Sequence, residues 1–440
     1  MQTATLAFLV GLAGCASTIA APAPLVSPIE DAPSTDVARS PERLAALLAR
    51  FDAMPASPER DALALQIDKV AGQRYATTSR LFWYTTLEDA KAAAAAQDKP
   101  ILALRMLGRL DEDLSCANSR LFRATLYANR VVADFLRANF VLYWSSERNV
   151  PKVTIDYGDG RKIESTTTGN SAHYVLTAEG RVVDVLPGLY APVPFRLELA
   201  KSAAFAKRVA HAAPADRDQL VRSYHHARSS DLDKRDLRAS VSRGTVGVGP
   251  SFVEAQRQTV SKSVIEVPMY RRITRVELTT VDDTASRVWA SFASQLWPEL
   301  GTALAKRVPD AANRAVIDLA SVEGGFGQLP YVPRVLDARS AALVTQLHAA
   351  GRTPSRAELD RMLIRLEEHI LADSSLDELR LRPEIHDYLA GGKPADFASL
   401  NRFVYAEVFH TPDSDPWLGL LPRTDFTGVP GDGVTASALR

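Results

Sequence analysis

Cysteine is nearly absent from this 440-residue chain, which holds only Cys15 and Cys116. Two thiols alone build neither a zinc site nor a disulfide framework. An excess of charge is also missing: Lys+Arg and Asp+Glu are 52 each, for a formal net charge of zero. That balance lacks the basic footprint of a nucleic-acid binder, so no nucleic-acid partner is expected. Past the N-terminus no apolar run is long enough to span a bilayer. There is no G-x-S-x-G elbow and no H-E-x-x-H pair. The glycines of Ser321-Val322-Glu323-Gly324-Gly325-Phe326-Gly327 are not followed by the Lys-Ser/Thr that a phosphate loop needs. Adjacent His225 and His226 cannot share a helix face, so they make a poor ligand pair. Asp156 and Asp159 lack the further acidic ligands of a calcium loop and read as turn residues. The sequence therefore predicts no metal site and no cofactor. What is present, 46% hydrophobic and 24% charged residues, is ordinary for folded protein and long enough for several domains.

Residues 4–13 are a short apolar stretch ending in Leu12-Ala13-Gly14-Cys15. The stretch is too short for a transmembrane helix and reads as a secretory h-region. Leu-Ala-Gly-Cys resembles a bacterial lipobox, which implies cleavage before Cys15 and lipidation of its sulfur. Ala16, where an aspartate would retain the protein at the inner membrane, fits sorting to the outer membrane. One departure is an n-region, Met1-Gln2-Thr3, without Lys or Arg. The alternative is ordinary cleavage near Ala20-Ala21-Pro22-Ala23 and a secreted or periplasmic protein. Pro22, Pro24, Pro28 and Pro33, set among Ala, Ser and Thr, make residues 16–39 an extended tether.

Ser40-Pro41-Glu42-Arg43 and Ser57-Pro58-Glu59-Arg60 each put a capping serine before a proline at the first helical position. Leu44, Leu47, Leu48 and Phe51, then Leu63, Ile67 and Val70, follow at helical spacing, and Met54-Pro55-Ala56 breaks the two helices. Residues 40–78 thus form a helical hairpin. Residues 86–97 are Ala-rich and helical, and Pro100 disfavours helix in the residue before it. Residues 101–107 are a buried-strand run ending at Gly108, residues 116–139 a helix with a kink at Tyr127-Ala128-Asn129, and residues 140–144 a second strand. Two hairpins follow, one turning at Gly158-Asp159-Gly160 and one at Glu179-Gly180, and then a helix over 195–209. This order predicts a mixed sheet with helices on both faces. After residue 211 helical spacing dominates, as in Leu359, Met362, Leu363, Leu366 and Ile370, or Leu400, Val404 and Val408. Thr353-Pro354 and Asp396 are the expected helix starts, and strand signals remain only at 264–267 and 273–278. Asp415-Pro416-Trp417-Leu418-Gly419-Leu420 reads as a segment packed on the helical part.

Trp83, Leu87-Glu88-Asp89-Ala90, Lys99-Pro100-Ile101-Leu102, Cys116 and the run from Val131 to Val141 together resemble the first half of a thioredoxin-fold domain. Gly169-Asn170-Ser171-Ala172-His173-Tyr174-Val175-Leu176, the turn to Gly180 and Leu186-Pro187-Gly188-Leu189-Tyr190 resemble its second half. The resemblance covers about residues 79–208. The segment 108–122 with the 156–160 turn is similar to an uncharacterised bacterial branch of thioredoxin-like proteins. The family carries C-x-x-C at a helix N-terminus, and this chain has Cys116-Ala117-Asn118-Ser119. The family's cis-proline falls on Ser171. With Cys15 lipidated, one free thiol remains, so an internal disulfide is excluded.

Monothiol chemistry at Cys116 is the first functional expectation. A helix N-terminus stabilises a thiolate, Ser119 would hydrogen-bond it, and Arg109, Arg120 and Arg123 would favour the anion while Asp111, Glu112 and Asp113 oppose it. The partner would be an envelope protein or a low-molecular-weight thiol that resolves a mixed disulfide or sulfenate. The alternative is a non-catalytic scaffold in which Cys116 packs as a small hydrophobe. The resulting organisation is residues 1–15 signal and lipobox, 16–39 tether, 40–78 helical hairpin, 79–210 thioredoxin-like α/β domain, 211–428 a larger, mostly α-helical domain, and 429–440 a flexible tail. Contact with a membrane would run through the lipid on Cys15 alone.

Overall fold

The computed structural model describes residues 39–166, 169–234, 293–306, 335–349, 353–393 and 395–412. The lipobox with Cys15, the tether, the strand signals at 264–267 and 273–278, the glycines of 321–327 and the 415–420 segment lie outside the described residues.

The chain opens with α1 (Pro41–Ala53) and α2 (Pro58–Ala71). The Ser40 and Ser57 side chains accept from the amides of Arg43 and Arg60, three residues on, as the repeated tetrapeptide predicts. Leu44, Leu48, Leu63, Ile67 and Val70 face one another in a small core of their own. Several bonds fasten this hairpin to the rest, among them Trp144 Nε1 donating to the Gly72 carbonyl at 2.8 Å, Trp83 N donating to Ala71 O at 2.9 Å and Arg74 N donating to Leu110 O at 3.1 Å. After α3 (Leu87–Gln97), capped by Thr86, the chain enters the main sheet.

The sheet has four strands in the order β2-β1-β5-β6. The first strand, β1 (Ile101–Leu107), pairs parallel with β2 (Val141–Arg148) and antiparallel with β5 (Ala172–Leu176), which pairs antiparallel with β6 (Val182–Pro187). Every residue of β5 and β6 is buried, so both faces of the sheet are covered. The second strand is longer than its apolar run because Ser145 and Glu147 bond Arg105 across from β1. Between β2 and β5 the chain forms β3 (Lys152–Asp156) and β4 (Lys162–Thr166), a separate two-stranded sheet with Tyr157 and Ile163 exposed. Asp156 and Asp159 accept from the amides of Gly158 and Arg161, the turn role expected of them.

The crossover between β1 and β2 departs from a single kinked helix. It is a short helix α4 (Ala117–Leu121), a π-helical turn (Phe122–Leu126) and then α5 (Arg130–Asn139). Asn129 separates them because its side chain accepts from Val132 N at 3.1 Å and so caps a new helix. After β6, α6 (Pro192–His211) packs on the sheet and α7 (Arg217–Lys234) follows.

The described C-terminal elements are α8 (Pro298–Lys306), α9 (Ala338–Ala349), α10 (Arg356–Leu376), a π-helical turn (Asp377–Leu381), α11 (Arg382–Ala390), α12 (Phe397–Phe403) and a third π-helical turn (Val404–Val408). Asp396 caps α12 as expected, whereas α10 begins at Ser355, two residues past Thr353, where Glu358 completes a capping box. These helices share one apolar core with the sheet, in which Leu102 and Val175 join Leu336, Ile370, Ile385 and Val404. Alternation along β5 shows the reason. His173 points toward Tyr127 and Phe195, while Tyr174 points the other way, edge-on to Phe397, and donates to Asn401 Oδ1 at 3.0 Å. The change of character at residue 211 is therefore one of element type, and the core runs across it. Among the described residues no helix is long and apolar enough to cross a membrane.

Candidate functional site

Two buried polar centres stand out. The first surrounds Cys116. The strand β1 ends at Gly108, the loop 109–115 returns, and Cys116 caps α4 with its amide donating to Leu107 O at 3.1 Å. The thiol has no exposed surface, and its sulfur lies 2.9 Å from Ser171 Oγ. Ser171 sits immediately before β5 and is held there by Gly188 N, which donates to its carbonyl at 2.9 Å. Gly169 closes the site: at φ +139° a side chain is strained, and a Cβ would collide with Cys116 Cβ.

Ser119 does not take the role expected of it. Its hydroxyl lies 2.7 Å from Ser115 Oγ and 2.9 Å from the Cys116 carbonyl, back-bonded along its own helix, and Ser171 is the hydroxyl at the thiol. Two of the three expected cations, Arg109 and Arg123, bond other groups. Arg109 makes a two-point pair with Asp111. Arg123, fully buried, donates to the carbonyls of Leu110 and Glu112 and to Ser115 Oγ, tying down the loop before the cysteine. Burial pulls its pKa down to about 10. Asn118 Nδ2 donates to Asn170 Oδ1 at 2.6 Å, and Tyr405 Oη donates to Asn170 O at 3.4 Å. Tyr127 Oη is 2.7 Å from His173 Nε2, and burial lowers the His173 pKa to about 3, so the imidazole is neutral. The thiol thus sits in a closed, hydrogen-bonded centre where no substrate reaches the sulfur without local opening.

The second centre joins β6 and α6 to the C-terminal helices. Arg382 on α11 is fully buried and bonds Asp184 on β6 at 2.7 Å, Glu198 on α6 at 3.0 Å and Glu378 in the second π turn at 3.1 Å. Arg228 on α7 bonds Glu198 and Glu378, and Lys201 bonds Glu198. Tyr190 Oη and Trp297 Nε1 donate to Glu378 and Glu198, each at 3.2 Å, and Ser202 Oγ donates to Asp184 at 2.5 Å. Burial alone would raise the Glu198 pKa, but Arg382, Arg228 and Lys201 outweigh it and hold the carboxyl well below its ordinary range. Burial would likewise lower the Arg382 pKa, but its three carboxylates hold it above its usual value.

Beside this cluster His225 on α7 donates from Nε2 to Val183 O at 2.9 Å, which covers the free edge of β6. Its Nδ1 lies 2.8 Å from Nδ1 of His386 on α11, and both rings are fully buried. Burial, with the guanidiniums of Arg382 and Arg228, pulls both imidazoles below their ordinary pKa. His226 is exposed, as two adjacent helical residues must diverge. Asp184, His225 and His386 each bring a ligand-type atom within 4.8 Å of the others.

The sequence reading missed this centre, although two signals were there. Asp184 stands within Val182-Val183-Asp184-Val185-Leu186, where an all-apolar strand has no use for an unpaired carboxylate. Glu198 falls between Phe195, Leu199 and Ser202 on the buried stripe of α6. The partners Glu378, Arg382 and His386 lie far along the chain, and no local pattern names them. Comparison of the chain with protein-family models, curated proteins and solved structures found no match.

Proposed function

We propose that this chain is a thioredoxin-like protein in which the fold serves as a binding scaffold and the thiol is structural. The strand order β2-β1-β5-β6, with β5 antiparallel to its neighbours, supports the thioredoxin-like reading. So does the cysteine at the start of the helix after β1, facing the residue that precedes β5. The scaffold reading rests on one observation: the Cys116 sulfur is sealed by Ser171 and Gly169 and has no exposed surface. A free cysteine of this kind behaves as a small hydrophobe with a weak donor. The formal charge of zero gives no support to a nucleic-acid partner, so the expected ligand is a protein of the cell envelope. The lipobox-like Leu12-Ala13-Gly14-Cys15 supports a location at the outer membrane, facing the periplasm, through a lipid on Cys15. Incorporation of a labelled fatty acid, lost in Cys15→Ala, tests that part.

The decisive experiment is alkylation of the full chain carrying Cys15→Ser, in which Cys116 is the one thiol. Native protein should remain unlabelled across neutral to alkaline pH and label after denaturation. Rapid labelling of native protein, with an apparent pKa well under the unperturbed value of about 8.5, would overturn the scaffold reading in favour of monothiol exchange. Mixed-disulfide trapping would then name the partner.

A further inference from the structure

We propose that Asp184, His225 and His386 form a closed structural site for a divalent first-row transition cation of the zinc class. The ion would join the edge strand β6 to α7 and α11.

Three independent features of the geometry carry this. The donors are two imidazoles and a carboxylate, the set that borderline cations prefer, and their ligand atoms lie within 4.8 Å of one another. His225 is already oriented as a metal-bound imidazole is, because Nε2–H donates to Val183 O and turns the Nδ1 lone pair inward. The third feature is unused bonding capacity. With His225 Nδ1 accepting, His386 Nδ1 is the donor of the ring pair, and His386 Nε2 is left without a partner although the residue is fully buried. The buried hydroxyl of Tyr224, next to His225, also has no partner, and the charge of Asp184 acts on it. An ion held by both Nδ1 atoms would leave His386 Nε2 as it is, so the Tyr224 hydroxyl is the unsatisfied atom at this locus that fits a missing occupant.

Arg382 is the obvious competitor for Asp184. It takes Oδ2, and it keeps Glu198 and Glu378 as partners besides. The other oxygen, Oδ1, accepts the adjacent Val185 amide at 2.8 Å and retains a lone pair for a cation. Arg382 then acts as the group that orients a ligating carboxylate. The rings need to part only a little. Their Nδ1 atoms are 2.8 Å apart, and tetrahedral zinc with bonds of about 2.05 Å would set them about 3.3 Å apart.

All three donors are fully buried, so the ion enters as the chain folds. The test therefore uses full-length protein produced with zinc or cobalt in the medium and purified without chelator. The expected result is close to one equivalent of metal per chain, a four-coordinate cobalt spectrum for the cobalt form, and a lower melting temperature after metal is stripped from unfolded protein and the chain refolded. His386→Gln should lower retained metal at least about tenfold, while His226→Gln, the exposed neighbour, should match wild type. Wild-type protein without metal overturns the proposal, as does His386→Gln retaining as much as wild type. Should His386→Gln not fold, metal content and the cobalt spectrum of the wild type decide the question alone.

Discussion

The two buried centres differ in charge and in the span of chain that builds them. The Cys116 centre is largely neutral at its heart and drawn mostly from the crossover and the start of β5. Its contacts Cys116–Ser171 and Asn118–Asn170 span 55 and 52 positions. The Arg382 centre is ionic, and its contacts to Asp184 and Glu198 span 198 and 184 positions. One centre shapes a loop inside the sheet unit, and the other bolts the C-terminal helices onto it. Losing a member of the neutral centre costs packing and a weak hydrogen bond. Losing a member of the ionic centre strands like charges inside the protein, which is far more expensive than the intact cluster is stabilising.

The largest expected effect tests that contrast directly. Arg382→Met removes the cation shared by Asp184, Glu198 and Glu378 and should destabilise by about 3–5 kcal/mol. Limited proteolysis should then release the C-terminal helices before the sheet. A urea midpoint equal to wild type would show that the cluster is dispensable and the comparison mistaken.

Acid comes next. His173, His225 and His386 are neutral in the folded protein, with pKa values depressed by burial. Unfolded chains bind protons at these sites below pH of about 6.5, so stability is full above that value and falls as pH drops toward the folded values, about 3 for His173. Each imidazole contributes a loss of up to about 1.4 kcal/mol per pH unit in that window. Thermal melts at pH 7.5 and 5.5 measure the sum, and His173→Gln should flatten the slope by one proton without touching the ionic centre. An identical slope in that variant would mean His173 titrates normally.

Cys116→Ala should be the mildest, at about 0.5–1.5 kcal/mol for one lost heavy atom in a packed core. A loss as large as that of Arg382→Met would show that the thiol carries more than packing.

Much of the sheet unit was readable along the chain because its signals are local. Ile101 to Leu107 is an apolar run stopped at Gly108, Asp156 to Gly160 is turn chemistry, and Ser40 and Ser57 cap helices from within their own tetrapeptides. The thiol's partner was misjudged for a related reason. Helical spacing makes Ser119 the neighbour of Cys116, but in a helix a serine hydroxyl turns back to carbonyl groups of its own turn, and the residue facing the thiol, Ser171, comes from the segment just before β5. The packing of the C-terminal helices was not readable at all. It depends on which side of β5 Tyr174 faces and on a charge match between Asp184 and Arg382, and neither leaves a periodic trace.

The π-helical turn at Asp377–Leu381 has a consequence for how this chain tolerates change. A π turn closes its hydrogen bond one residue later than an α turn, so it carries one residue more than the straight helix needs. That extra residue is absorbed within the turn, so removing it would leave the direction of α11 nearly unchanged, whereas deleting one residue in the straight part of α10 has nothing to absorb it. Each α-helical residue turns the chain by about 100°, so everything after the deletion would rotate by that angle. Arg382 and His386 would swing off the sheet together, and the loss would match several core mutations although no core residue had been replaced. Before this turn the length of the helix is as strict a requirement as its composition.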